Sequence, residues 1–334
     1  MEIIDNIDKI NIKQWSEFIQ NHPDGNIFQS PEMYFLYLKS EGFLPFVFVA
    51  YEDNNILGVL LAVIQKEYNS FIGIFTSRAI IWGGPLVLNN NIDVGNFILK
   101  NYNHRIKSKA IYSQFRNLFD LEYLKPACRD HKFKYEDHLN IQINLAESWD
   151  NLLDNIQKSR KRNLTKSLNK GTVLKELKSD EEIISSYNLI RETYKRIKLP
   201  FPKISFFTNL FNELYSRNYC KFFIAENNNT IIGIRIILTY KNIIHDFYAG
   251  SSNNHTDKYP NDFLIMNILD WGNRNGFTFF DFGGAGKPNI PYGVRDHKLK
   301  FGGNVVNYGR FEKIHKPFIY KASAFAFKIW KFLK

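Results

Sequence analysis

The sequence is poor in the residues that staple or metallate a fold. Its two cysteines, Cys128 and Cys220, lie far apart and outside any CxxC spacing, so neither a disulfide framework nor a cysteine-built zinc site is expected. A reducing compartment fits that usage. Among the eight histidines no HExxH occurs, and His131 with His138 reads as a pair of solvent-facing side chains; no metal is expected. Long apolar runs are missing as well. FLPFVFVAY and ILGVLLAVI fall well short of the ~20 residues a membrane-spanning helix requires. The opening MEIIDNIDKINIKQWSEF carries four acidic groups and lacks the basic start and apolar stretch of a secretion signal, so the expected location is the cytoplasm.

What is present points to a globular protein. A chain of 334 residues, 44% hydrophobic and 16% aromatic, can fill two cores, and two packed domains are expected. The net charge of +11 is unevenly placed: residues 1–150 hold 14 Lys/Arg against 18 Asp/Glu, and residues 151–334 hold 30 against 15. The basic half predicts an anionic partner, whether a phosphate-bearing substrate, RNA or a membrane surface, with a merely solvated face as the alternative.

An internal repeat gives the fold class. FVAYEDNNILGVL (48–60) and FIAENNNTIIGIR (223–235) align without a gap, with Ala50 to Gly58 matching Ala225 to Gly233. Each predicts a β-hairpin closed by asparagines, which tolerate the left-handed backbone of a tight turn. A helical pattern precedes each hairpin (SPEMYFLYLKSEG and ISFFTNLFNELYSRN), and a further β-rich run follows (IQKEYNSFIGIFTS and RIILTYKNIIHDFYAGSS). The shared order predicts a duplicated α/β unit. Between the copies, 148–170 predicts one helix on which Lys158, Arg162, Lys166 and Lys170 recur every fourth residue, with Ile156, Leu164 and Leu168 on another face. An anionic ligand would relieve the repulsion along that row.

Three segments, RKRNLTKSLNKG, YAGSSNNHTDKYPNDFLIMNILDWGNRNGFTFFDFGGAGKP and GVRDHKLKFGGNVVNYGR, with weaker support from FQSPEMY and WGGPLV, resemble the FemABX family of peptidoglycan-bridge aminoacyltransferases. The resemblance covers most of the chain. It implies two tandem GNAT-like domains of mixed, largely antiparallel sheets flanked by helices, with a substrate cleft between them: 1–147, 148–317 and a C-terminal amphipathic helix at 318–334. It also implies transfer of an amino acid from aminoacyl-tRNA to an amino group of a peptidoglycan precursor, nucleotide- or lipid-linked. No long heptad-patterned insert interrupts the second half, which marks the compact form of the family. The Q/R-x-x-G-x-G/A loop by which ordinary GNAT enzymes cradle CoA is absent, so aminoacyl-tRNA is the expected donor and no cofactor is expected.

Such a transfer needs aligned substrates, removal of a proton from the amine and stabilisation of an oxyanion, without a covalent enzyme intermediate. Lys298 occupies the lysine position of the family's FKxxFGG-like motif, with His297 where an aromatic is usual, and is the first candidate for the oxyanion; a phosphate contact or a surface lysine are the other readings. Asp281, before GGAG, either orients the amine or accepts its proton, or instead caps the glycine turn. Arg162, Lys166, Arg295 and Lys300 are candidates for a diphosphate, joined by Lys39 from the first half. Tyr248 and Tyr292 are candidates for lining the cleft. The tail FIYKASAFAFKIWKFLK gathers Ile319, Ala322, Ala326, Ile329, Trp330 and Leu333 on one face, away from Lys321, Lys328, Lys331 and Lys334, the pattern of an in-plane membrane helix or of a helix packed on the protein. Two alternatives stand beside the aminoacyl reading: a CoA- or carrier-dependent N-acyltransferase of polysaccharide or lipid synthesis, and a non-catalytic module that binds anionic glycolipid.

Overall fold

The computed structural model describes residues 1–66 and 76–333. Most of the β-rich run expected at 64–77 therefore lies outside the described residues. The chain begins with β1 (Glu2–Ile4), α1 (Ile12–Asn21) and α2 (Pro31–Lys39), then β2 (Phe43–Glu52), β3 (Asn55–Gln65), β4 (Arg78–Trp82) and β5 (Leu86–Val87). It continues through α3 (Ile92–Ile106), β6 (Tyr112–Arg116), α4 (Lys125–Asp130) and β7 (Lys134–Glu136). A second series follows: β8 (Leu139–Asn144), α5 (Trp149–Asn155), α6 (Lys158–Asn169), β9 (Val173–Glu176), α7 (Asp180–Arg196), α8 (Ile204–Leu210) and β10 (Cys220–Asn227). It ends with β11 (Thr230–Tyr240), β12 (Ile243–Ser251), α9 (Pro260–Arg274), β13 (Phe279–Gly284), α10 (Gly293–Leu299) and β14 (Asn304–Asn307). The chain closes with β15 (Arg310–Ile314) and α11 (Pro317–Leu333).

Two compact units result. The first combines Met1–Asp137 with Tyr308–Lys334; the second is His138–Asn307. In the first the strand order is β1-β2-β3-β4-β6-β15-β7, with β5 on β3, and in the second it is β14-β8-β13-β12-β11-β10-β9. The boundaries drawn from sequence, 1–147 and 148–317, therefore move. β8 pairs with β13 and β14, so 139–144 belongs to the second sheet, while β15 inserts between β6 and β7 and carries 310–314 into the first. The helix at 318–334 is likewise part of the first unit, where Tyr320 meets Tyr112 edge-on. With 21 Lys/Arg against 17 Asp/Glu in the first unit and 23 against 16 in the second, the lopsided charge of the linear halves disappears on folding.

The repeat is real at the level of register. Ala50 pairs with Gly58 and Ala225 with Gly233, and in both hairpins the pairing slips by a bulge immediately after the alanine. Asp53–Asn54 and Asn228–Asn229 turn the hairpins with positive φ angles, as the asparagine-rich sequence requires. The paired glycines have a packing reason: a Cβ on Gly58 would stand 2.8 Å from Ile98 of α3, and one on Gly233 would stand 2.9 Å from Pro260 of α9. Each unit then repeats a strand antiparallel to the hairpin, a long helix and a strand parallel to the first (β4 with β6, β12 with β13). A buried apolar cluster lies against each sheet, around Phe48, Tyr102 and Phe115 in the first unit and around Ile237, Phe263 and Phe280 in the second.

The segments FQSPEMY and WGGPLV prove to be partners in the first unit. The Gln29 amide nitrogen donates to the carbonyls of Leu61 and Trp82, at 3.2 and 2.7 Å, and its oxygen accepts from the Leu61 amide. Asn26 Nδ2 donates to the Gly83 carbonyl at 2.7 Å, and Phe28 stacks on Trp82. Gly84 lies so close to Gln29 that a Cβ there would fall 2.5 Å from its amide carbon. Ser30 and Pro31 of the same segment cap and start α2.

The single helix expected over 148–170 is two helices, α5 and α6, separated by Ile156 and Gln157 in extended conformation. Ile156 is buried in the core cluster, which the break allows.

Candidate functional site

The side chains that carry charge into the second unit converge where β12 and β13 part. Parallel pairing joins them only at Ile243–Phe279, Ile244–Phe280 and His245–Asp281. β13 then shifts register against β8 between Asp281 and Gly284, and β12 is bulged against β11 at Phe247, a device that re-aims side chains.

Lys298, in the last turn of α10, reaches that divergence. Its Nζ donates to the carbonyls of Phe282 at 2.7 Å and Gly284 at 2.8 Å. An ammonium has three N–H donors, so one remains beyond those two bonds. Burial pulls the Lys298 pKa below the ordinary lysine value; Asp246 and Asp281 oppose that shift and Arg235 adds to it.

Asp281 is fully buried on β13. One oxygen accepts from the Gly283 amide at 2.6 Å and the other from Gln142 Nε2 at 3.2 Å. The turn-capping arrangement is thus in place, and the same carboxylate acts on His245, whose pKa burial lowers and Asp281 raises.

Four residues that sequence reading missed complete the charge cluster. Arg235 of β11 pairs with Asp246 of β12 at 2.5 Å, both largely buried, and Arg235 also approaches Asn261 of α9. The Arg235 Nε and one Asp246 oxygen are buried without a hydrogen bond. Arg160 of α6 donates to both oxygens of Asp262, at 3.0 and 2.7 Å, in the first turn of α9, and Asn163 Nδ2 donates to the same carboxylate at 2.6 Å. His297 beside Lys298 sits within the field of Asp262, Arg160 and Arg235, and burial lowers its pKa. The available signal was a period: Arg160 and Asn163, with Ser167 a turn further, form one helix face, and the buried residues of α6 are the polar Asn163 and Ser167. Leu168, placed from sequence on one face with Ile156 and Leu164, is exposed.

The remaining predicted residues separate into distinct roles. Arg295, on the same helix as Lys298, spends its guanidinium on backbone carbonyls, with 2.8 Å bonds to Lys287 and Ile290, and so staples the loop after β13. Tyr292 stands at the start of α10 against Gly286, and the Lys300 carbonyl accepts from the Gln157 amide at 3.0 Å. Arg162 and Lys166 lie on the exposed face of α6, with Lys166 over the Tyr259 ring; neither is joined to Lys298 by a direct contact among the described residues. Tyr248, expected to line a cleft, is packed among Tyr194, Phe201, Phe206, Phe207 and Phe247. Lys39 ends α2 in the other unit, exposed.

A family model described as Acetyltransferase (GNAT) domain matches residues 158–298, from the first residue of α6 to Lys298 itself. The solved structure of FemX superposes with a TM-score of 0.72 at 15% identity, covering 96% of this chain and 99% of that one. The chain shares the fold of FemX. L-PGS from Bacillus licheniformis is also similar (TM-score 0.59, 12% identity, 96% of each chain). So is a tandem GNAT protein from the clavulanic acid biosynthesis pathway (0.58, 11%, 94% of this chain and 98% of that one). No curated protein sequence matches. The charged residues of the cluster all lie within residues 158–298, the segment that the GNAT model matches.

Proposed function

We propose that this protein is a FemABX-type aminoacyltransferase that moves an amino acid from aminoacyl-tRNA to an amino group of a peptidoglycan precursor peptide. The observation that carries the reading is Lys298, held by two backbone carbonyls with one N–H left over. In the reaction the amine nitrogen bonds to the aminoacyl carbonyl carbon, and a tetrahedral oxyanion forms. The ester C–O bond to the ribose then breaks, and the ribose oxygen leaves as a hydroxyl with the proton that the attacking amine gives up. The third N–H of Lys298 is the donor for the oxyanion, worth roughly a few kcal/mol of barrier. Arg235, Asp246, Asp262 and Arg160 hold the surrounding helices and strands in register, so the donor is fixed before substrate arrives. Arg162, Lys166 and Lys300 are the cations assigned to the diphosphate of the precursor. Peripheral contact of residues 318–334 with the membrane would suit a lipid-linked acceptor.

The experiment is a transfer assay with mixed radiolabelled aminoacyl-tRNAs and a lipid-linked muropeptide. Product bearing one labelled amino acid, abolished by RNase treatment of the donor, supports the proposal. The description of the matched domain as an acetyltransferase favours a second reading, a CoA-dependent N-acyltransferase. Absence of product from every aminoacyl-tRNA, with turnover of acetyl-CoA by the same preparation, moves the assignment there.

A further inference from the structure

The first unit contains a surface pocket of about 340 Å³ lined by Lys100, Asn101, Asn103, His104, Lys107 and Lys313. Lys100, His104 and Lys107 follow one another at helical spacing along the end of α3, and Lys313 comes from β15, so the pocket forms only when the chain's closing strand returns to the first sheet. No carboxylate lines it, and Lys100, Lys107 and Lys313 make no ion pair among the described residues.

Two features of the pocket are costly as they stand. Lys313 Nζ donates to Asn103 Oδ1 at 2.9 Å. Because an ammonium can only donate, that bond fixes the amide: its oxygen faces Lys313, and its NH2 is turned away. Asn103 is buried, and its Nδ2 has no hydrogen-bond partner among the described residues. An unmet buried donor is the kind of defect folded proteins rarely keep. The lysines also repel one another: burial and the charges of Lys132 and Lys107 pull Lys313 below the ordinary lysine value. The same field reaches His131 and His315, both lowered in part by Lys313. An anion with several acceptor oxygens would relieve the repulsion among the lysines.

We propose that this pocket binds a phosphate group. A carboxylate offers two oxygens in one plane, whereas a phosphate group presents oxygens in several directions and suits lysines that approach from a helix and from a strand. The group comes either from a small phosphate compound or from a phospholipid headgroup. The second source has its own support, because Lys316 Nζ donates to the Ser108 carbonyl beside Lys107 and so places the start of α11, with Phe318 89% exposed, next to the same region.

The test uses the full chain and two probes: inorganic phosphate titrated at constant ionic strength while Tm and heat of binding are followed, and flotation with phosphatidylglycerol vesicles against phosphatidylcholine vesicles. The variants are Lys107→Ala, which is exposed, and Asn103→Asp, which keeps the shape and the contact with Lys313 but repels an anion; exposed Lys13→Ala is the control. We expect saturable binding that both pocket variants weaken by at least about tenfold and the control leaves unchanged. Saturation by inorganic phosphate without vesicles identifies a small phosphate ligand, and saturation only on phosphatidylglycerol vesicles, lost in the pocket variants, identifies the headgroup. The proposal is overturned if neither probe saturates, if the pocket variants bind as wild type does, or if Lys13→Ala weakens binding as much as they do, which would indicate diffuse charge attraction.

Discussion

At the scale of single residues, the second unit depends on a few buried charges whose partners come from different elements. Lys298, the proposed oxyanion donor, also braces β13 through the carbonyls of Phe282 and Gly284. Lys298→Met keeps the aliphatic stem and removes the N–H groups, so kcat should fall about 10²- to 10³-fold with little change in KM, as single-turnover assays would show. Arg235→Met should cost about 3–5 kcal/mol in urea unfolding, because it leaves Asp246 buried and unpaired. The double variant Arg235→Met/Asp246→Leu should recover much of that loss, since both charges are then gone. In the first unit, burial and the charges of Lys313 and Lys316 push His315 down to about 4. Between pH 4 and 6.5 the unfolded chain binds more protons at this position than the folded one, so the free energy of unfolding should rise with pH across that window by about 3 kcal/mol. His315→Gln should flatten the curve by that amount in denaturant titrations at stepped pH. The remaining slope comes from His131, His245 and His297, whose lowered pKa values have the same sign.

At the scale of elements, the hairpins are legible in the sequence, whereas the packed face of the basic helix and its break at Ile156 are not. The hairpins show in the sequence because a left-handed turn and a glycine under a crossing helix restrict which residues can stand there. The two glycines are not equally constrained. At Gly58 the nearest atom is the tip of the Ile98 side chain, which can swing aside, whereas at Gly233 it is the Cβ of Pro260, held by its ring and the start of α9. Gly233→Ala should therefore lower stability by about 1–3 kcal/mol and more than Gly58→Ala does, measured by thermal unfolding. For α6 the cations at every fourth residue drew the eye to the exposed face. The packed face carries Arg160 and Asn163 onto Asp262, and an apolar-periodicity rule cannot detect a helix that packs through an ion pair and an amide. The break at Ile156 was hidden for a related reason: one isoleucine leaves the helical pattern to fill the core, which only the neighbouring side chains dictate.

At the scale of the whole molecule, the second unit is an insertion in the first. The chain leaves the first sheet after β7 and returns as β15 between β6 and β7, and the two crossing points lie close together, the His138 amide donating to Asn307 Oδ1 at 3.1 Å. Residues 138–307 expressed alone should unfold in one cooperative transition by circular dichroism, whereas 1–137, which lacks an interior strand of its sheet, should not. Linear halves cannot reveal this, and the same threading undoes the charge asymmetry read from them, since the basic segment from Tyr308 to Lys334 folds with the acidic start of the chain. By itself the sequence determined what short-range chemistry controls: two α/β units, the asparagine turns, the glycines beneath helices, and a lysine in the GVRDHKLKFGG stretch. Only the tertiary structure decided that Lys298 is held by the carbonyls of Phe282 and Gly284, that Arg235 and Arg160 find their carboxylates, and that the last strand closes the first sheet. Those outcomes depend on pairing between residues far apart in the chain, where the burial of one partner sets the value of the other.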